Sequence, residues 1–174
     1  AYGPDHPEVA TSHTSIGTAL LFAGRPTTAR THLERALAIY ARMLRPEPAR
    51  VAVVLGNLGA VHLAEHDPRG AVQAHSRALA MLHAALGPTD PAVARARHNL
   101  GFALLRLGEH ELARRQLELA LTLRRDRLGP EHPDVALTLA ALAELQLARG
   151  ACEASRDLLL RALTIHERGD PPTH

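Results

Sequence analysis

The sequence has no tryptophan and no lysine, and only 2% of its 174 residues are aromatic. Strands draw on aromatic and β-branched side chains, so an apolar content made mostly of alanine, leucine and valine favours packed helices. The single cysteine, Cys152, excludes an internal disulfide and favours a reducing compartment. No apolar run approaches the roughly 20 residues that span a bilayer, and no signal peptide is recognisable. We therefore expect an all-α, cytoplasmic protein with no membrane contact.

The 20 basic residues are all arginines and are scattered among 18 acidic residues, which leaves a formal net charge of +2. Proteins that bind nucleic acids usually concentrate basic side chains in one stripe and often add aromatic side chains for stacking. The sequence shows neither pattern. We interpret its charges as solvated helix surfaces and expect no nucleic-acid partner.

A stretch rich in glycine and proline recurs with a period of 42 residues, as from Gly87 to Gly129, with an earlier copy at Gly3 and an irregular one at Arg45-Pro46. A period of this size indicates an array of helical repeats. The predicted repeats are residues 3–44, 45–86, 87–128 and 129–170, followed by a tail at 171–174. We expect them to form one domain over 1–174, cut from a longer protein.

Each repeat is predicted to form a helical hairpin. Proline opens the first helix, where its missing N–H costs nothing, and Asp90 or a histidine provides the cap before it. Gly24, Gly108 and Gly150 supply the left-handed conformation between the two helices, and His66 takes that position in the second repeat at some strain. Glycines inside the first helices cost about 1 kcal/mol relative to alanine, which predicts close helix packing there.

Small residues, and pairs of an apolar and a small residue, recur at fixed points of every repeat. They are Ile16-Gly17, Leu58-Gly59, Leu100-Gly101 and Leu142-Ala143 in the first helices, and Ala29, Ala71, Ala113 and Ser155 in the second. Together with Leu33, Leu117 and Leu159, the small residues of the second helices form a stripe spaced by three and four residues, which is one helix face. With its Gly-Pro-x-His-Pro-x-Val-Ala opening, the chain resembles tetratricopeptide repeat arrays, in particular the longer repeats of kinesin light chains and their bacterial relatives.

The resemblance implies an α-solenoid, a right-handed superhelix of four hairpins that binds a protein or peptide in its concave groove. It also implies that the chain is the sensor or scaffold arm of a larger bacterial regulatory protein, and not an enzyme. A second interpretation is a self-assembling structural array that pairs through its ends or its groove. Repeat four favours such pairing, because leucines from Leu137 to Leu147 make its first helix apolar nearly all round.

The groove wall is expected to consist of residues on the first helices. The predicted binding residues are Thr14, Ser15, Thr18, Val53, Asn57, Arg95, His98, Asn99, Phe102, Arg106 and Glu144. Asn57 and Asn99 share one phase, where the resemblance implies an asparagine that grips the ligand's main chain. The positive charges of Arg95, His98 and Arg106 near an exposed Phe102 predict an acidic ligand with one apolar anchor.

The segment from His62 to His66 matches the H-x-x-E-H pattern of some zinc peptidases. His62 occupies a position that is leucine in other repeats, His66 occupies the turn position, and no third ligand is evident. We therefore expect no metal, no other cofactor and no catalytic residue. His62 and His75 are expected to lie close together across their hairpin, and replacing both by leucine is expected to raise thermal stability.

Overall fold

The computed structural model of the chain describes residue 3, residues 6–44 and residues 46–169. These residues form helices and no strands, so the predicted all-α class is confirmed. The helices are α1 (Pro7–Phe22), α2 (Pro26–Arg42), α3 (Pro48–Ala64), α4 (Pro68–Leu86), α5 (Pro91–Leu107), α6 (His110–Leu128), α7 (Pro133–Ala148) and α8 (Cys152–Gly169). They pair in sequence order as four hairpins. None of these described helices is long and apolar enough to cross a membrane.

The described residues form two compact units, one within residues 1–87 and the other within residues 88–174. In the first unit α3 packs against both α1 and α2, and in the second unit α7 packs against both α5 and α6. Each unit therefore stacks two hairpins in the same way. The single domain over 1–174 and the cut from a longer protein stay predictions, and the tail at 171–174 lies outside the described residues.

The helix starts follow the predicted capping chemistry. The Asp90 carboxylate accepts a hydrogen bond from the backbone N–H of Ala92, at 2.8 Å, immediately before α5. The Nδ1 atoms of His6 and His132 do the same for α1 and α7, at 3.2 and 3.1 Å. The irregular second copy opens α3 at Pro48 with no side-chain cap. Proline and a polar cap thus position most of the first helices.

The turn between α3 and α4 carries the expected strain. His66 has a φ of 60°, in the left-handed region that Gly24, Gly108 and Gly150 occupy in the other repeats. A residue with a Cβ pays about 1–2 kcal/mol for this conformation. Asp67 does not relieve it, and instead caps α4 by accepting a hydrogen bond from the Gly70 N–H at 2.9 Å.

The glycines inside the first helices allow the two helices of each hairpin to pack closely, as predicted. A Cβ added to Gly17 would lie 2.7 Å from Cγ of Leu33, and a Cβ added to Gly101 would lie 2.7 Å from Cγ of Leu117. In the second repeat the ring of His75 takes the leucine's place, and a Cβ on Gly59 would lie 2.5 Å from it.

The fourth repeat departs from this packing. It has Ala143 in place of the glycine, and the leucine of the second helix, Leu159, is 49% exposed while Leu33 and Leu117 are 0% exposed. Leu159 shares the repeat phase of Leu33 and Leu117 but not their burial. The helices that carry Leu33 and Leu117 are each packed against the next hairpin, through α3 and α7, whereas among the described helices α8 packs against α7 alone.

Most of the apolar side chains of α7 pack inside the second unit. Leu139, Leu142 and Leu145 are buried, while Leu137 and Leu147 are about half exposed. Helix α7 packs against α5, α6 and α8, which explains why its sequence is apolar on several sides. The apolar sequence of this helix therefore does not by itself call for a second chain.

Candidate functional site

The predicted wall residues of the first unit lie on one surface, here called the α1/α3 face: Thr14, Ser15 and Thr18 on α1 with Val53 and Asn57 on α3. An open hollow of about 520 Å³ is lined by the first four of these and by Thr11, Ala19 and Phe22. A neighbouring hollow of about 260 Å³ extends toward Glu8, Tyr40 and Arg50.

The hydroxyl hydrogens of Thr14 and Thr18 on the α1/α3 face are used within α1. Thr14 donates to the carbonyl of Ala10 at 2.8 Å, and Thr18 donates to the carbonyl of Thr14 at 2.9 Å. Thr18 also accepts a hydrogen bond from Nδ2 of Asn57 at 2.7 Å. The Asn57 amide nitrogen is therefore already engaged, while its carbonyl oxygen has no partner among the described residues. This face offers mainly hydrogen-bond acceptors.

Phe22 is a residue of this surface that the sequence analysis missed. It ends α1 at the edge of the larger hollow and is 91% exposed. Its signal in the sequence was its rarity, since the chain has only two phenylalanines. An exposed aromatic ring beside a hollow is a surface on which a ligand's apolar group can pack.

The predicted wall residues of the second unit also lie on the first helices of their hairpins, and we call their surface the α5/α7 face. It consists of Arg95, His98, Asn99, Phe102 and Arg106 on α5 and Glu144 on α7. Nη1 of Arg106 donates to Oε1 of Glu144 at 2.9 Å. The Arg106 guanidinium also lies 5.6 Å from the ring centroid of Phe102. These three side chains form one cluster.

Two expectations for this face need correction. Phe102 is partly buried, not exposed, because α5 packs against its neighbours at this level and Arg106 lies over the ring. The charge of Arg106 is compensated by Glu144, so Arg106 adds less positive potential than its position in the sequence indicated. The second difference arises from Glu144, which comes from the next hairpin.

Arg95 and Asn99 remain available on this face. Arg95 is exposed, and neither residue forms a hydrogen bond or ion pair with another described residue. Burial first, and then the nearby charge of Arg95, lowers the pKa of Arg124, while Asp134 acts in the opposite direction. Arg95 therefore sits near a second cation and one helical turn from an unused amide. His98 is partly buried on the same helix.

The side chains of the zinc-like segment are engaged in other contacts. Nδ1 of His62 lies 2.8 Å from Oδ2 of Asp67, and Glu65 forms an ion pair with Arg30. His66 points from the strained turn and is exposed. Among the described residues no group of three or more histidine, cysteine, aspartate or glutamate side chains is arranged to hold a metal ion.

His75 differs from His62 in its surroundings. It is 3% exposed, and its burial, followed by the nearby charge of His62, lowers its pKa to about 4. The two rings are near each other, as predicted, but only His75 fills a core position. Because His62 is partly exposed and bonded to Asp67, the double replacement by leucine would also remove a favourable contact, and the stability prediction applies to His75 alone.

A second histidine pair was missed by the sequence analysis. Nδ1 of His13 and Nδ1 of His32 lie 2.9 Å apart, across the α1–α2 hairpin. Burial first, and then the charges of His32 and Arg35, lowers the pKa of His13. The repeat phase could have indicated this pair. The same two positions of the third repeat hold Arg97 and Gln116, two polar residues that form a 3.0 Å hydrogen bond.

Comparison with known proteins identifies the repeats. A family model described as tetratricopeptide repeat matches residues 1–42, 50–126 and 98–168. No curated protein sequence matches the chain significantly.

Several solved structures have the same fold. BtubC from P. vanneervenii is 17% identical with a TM-score of 0.80, and the match covers 93% of this chain and 64% of BtubC. Kinesin light chain-like repeats from Podosopora anserina, described as nearly identical TPR-like repeats, are 23% identical with a TM-score of 0.79, covering 97% of this chain and 80% of theirs. Aspartyl phosphate phosphatase F from Bacillus subtilis is 15% identical with a TM-score of 0.72, and the match covers 92% of this chain and 42% of the phosphatase. These similarities show the α-solenoid class of fold.

Proposed function

Because the chain belongs to the tetratricopeptide repeat family, whose fold is typically a non-catalytic interaction scaffold, we propose that it binds a peptide segment of a partner protein on its α5/α7 face. Solenoids of this kind line their concave side with first helices, and α5 and α7 are the first helices of their hairpins. The observation that carries the proposal is the pair Arg95 and Asn99, both polar and both without a partner among the described residues.

The charge of this face favours an acidic ligand. Arg95 lies near the buried Arg124, so the two like charges repel each other in the unbound protein. A carboxylate of the ligand placed beside Arg95 would offset this repulsion and form a charge-assisted hydrogen bond, which is stronger than a neutral one. Arg106 contributes less, because Glu144 already compensates it.

The remaining contacts follow from the same geometry. The Asn99 amide can donate to and accept from a peptide main chain without selecting a side chain. Phe102 lies on the same line of α5, and its partly buried ring offers an edge against which one apolar side chain of the ligand can pack. His98 borders this position. The proposed ligand is therefore an extended acidic segment with one apolar anchor.

The α1/α3 face is proposed to bind ligand main chain in a different way. Thr14, Thr18 and Asn57 present oxygens, so they suit the N–H groups of a peptide, while Ser15 and Val53 line the hollow beside them. Phe22 at the edge offers apolar contact. This face carries no unpaired cation comparable to Arg95 and is not expected to select acidic ligands.

The proposal is tested by selecting binders from a displayed library of random peptides and measuring their affinities by fluorescence polarisation. Arg95→Ala and Asn99→Ala should each weaken binding, Arg95→Ala by about tenfold because a charged hydrogen bond is lost. Arg115→Ala, which removes an exposed arginine from α6, is the matched control and should leave the affinity unchanged. Selected peptides without acidic residues, or equal affinities for all variants, would reject the α5/α7 face.

We also infer that the chain acts as the sensor or scaffold arm of a larger bacterial regulatory protein. The chain spans 64% of BtubC and 42% of the Bacillus subtilis phosphatase, so similar arrays occur within longer chains. Sequencing the gene around this region tests the inference directly. A neighbouring ATPase, phosphatase or DNA-binding domain would support it, and an array with no effector domain would contradict it.

A further inference from the structure

Helix α8 exposes three leucines within five residues. Leu159, Leu160 and Leu163 are 49%, 54% and 51% exposed. By repeat phase, Leu160 occupies the position of Glu34 in α2 and of Glu118 in α6. Those glutamates are 58% and 52% exposed although α3 and α7 pack against their helices. A following hairpin stacked in the same way would therefore leave Leu160 uncovered, and it would contact Leu163, whose equivalent Leu121 packs against α7.

Leu160 belongs to a line of four residues, Arg156, Leu160, Leu163 and Glu167, which we call the α8 stripe. Spacings of four, three and four residues place side chains above one another on a single helix face. The buried residues of α8, which include Ser155, Ala162 and Ile165, lie on the other side against α7. The stripe is thus on the solvent side of its unit.

The order of the α8 stripe is self-complementary. Its residues are, in order, positive, apolar, apolar and negative. A second α8 running in the opposite direction therefore places Arg156 opposite Glu167 and Leu160 opposite Leu163. Each of these contacts occurs twice, once from each copy. This is the isologous arrangement that a two-fold symmetric dimer requires. We propose that the α8 stripe is an interface with a second copy of this chain, paired antiparallel through α8.

The charged ends of the stripe are free to pair in this way. Glu167 forms no ion pair with another described residue. Arg156 contacts Glu153 at 2.8 Å and Asp157 at 3.3 Å, all on the exposed surface of its own helix. Exposed pairs of this kind contribute little, so Arg156 can exchange them for Glu167 of the second copy.

Sedimentation velocity over a concentration series tests the proposal on the full chain. The wild type should show a mass that rises toward the dimer with concentration. Leu160→Glu, which installs the residue type of the equivalent positions in α2 and α6, should remain monomeric. Leu119→Glu, at a leucine that is 47% exposed on α6, is the matched control and should dimerise like the wild type. A monomeric wild type, or a dimeric Leu160→Glu variant, would overturn the proposal.

Charge reversal tests the antiparallel register. Arg156→Glu and Glu167→Arg should each weaken dimerisation about tenfold or more, since each places like charges opposite each other at both ends of the interface. The double variant restores opposite charges and should recover dimerisation. Failure of the double variant to recover, with its helix content intact by circular dichroism, would refute the register. Peptide binding on the α5/α7 face should be unchanged in all three, so the two proposals fail separately.

Discussion

Replacing His75 by leucine is expected to stabilise the protein, and to do so increasingly as the pH falls. His75 packs on Gly59 as Leu33 packs on Gly17 in the first repeat, so the hairpin geometry already accommodates leucine at this position. At pH 7 both side chains are buried without charge, and the gain should be about 1 kcal/mol, from replacing a polar ring by an apolar side chain.

The pH dependence follows from the lowered pKa of His75. Its folded pKa of about 4 lies below its ordinary value of 6.5, so between these values the unfolded chain binds the proton and the folded chain does not. The stability of the protein is therefore unaffected by this group above pH 6.5 and falls progressively as the pH drops from 6.5 to 4. Linkage gives a loss of about 2 kcal/mol between pH 7 and pH 5, and about 3 kcal/mol by pH 4.

Urea unfolding followed by circular dichroism at pH 7 and pH 5 measures this loss. The wild type should lose about 2 kcal/mol more than the His75→Leu variant between the two pH values, because the other titrating groups are common to both proteins and cancel. His83→Gln, at an exposed histidine of the same helix, should behave like the wild type. Parallel pH dependences of wild type and His75→Leu would refute the argument that burial keeps His75 neutral. A variant less stable than wild type at pH 7 would refute the packing argument.

Two further changes test the backbone of the hairpins. His66→Gly should raise the free energy of unfolding by about 1 kcal/mol by relieving the left-handed φ, whereas His66→Ala, which keeps the Cβ, should give much less, as measured by urea denaturation. Gly101→Ala should lower the melting temperature because its methyl would press on Leu117, while Gly56→Ala, with nothing within 4 Å of the added methyl, should raise it. Equal shifts for the two glycines would contradict close helix packing as the reason for the recurring glycine.

The repeat phase accounts for most of the fold. Helix starts at proline, left-handed turns, the glycines under Leu33 and Leu117, and the strain at His66 were all predictable, because each depends on residues near in sequence or at a fixed phase. Even the fourth repeat could be compared position by position. The exposure of Leu159 was not predicted, since it depends on which helices pack against α8 once the hairpins have stacked.

The candidate site was predictable only as a set of positions. The repeat phase placed Asn57, Asn99 and Arg95 on first helices. These side chains differ in whether a hydrogen-bond partner within the protein already engages them. The Asn57 nitrogen is bound to Thr18, 39 residues earlier, whereas Asn99 has no partner among the described residues. Long polar side chains reach several possible partners, so no spacing rule selects the one that is formed.

By itself, then, the sequence determined the helices, their pairing into hairpins and the family to which they belong, because those features repeat and are decided locally. The tertiary structure decided which charges stay available and which leucines stay exposed. Arg106 is compensated by Glu144, 38 residues away, while Arg95 is not. Leu160 is exposed where its phase places glutamates. Such differences depend on what a neighbouring helix brings within a few ångströms, and that distance exists only once the hairpins have packed.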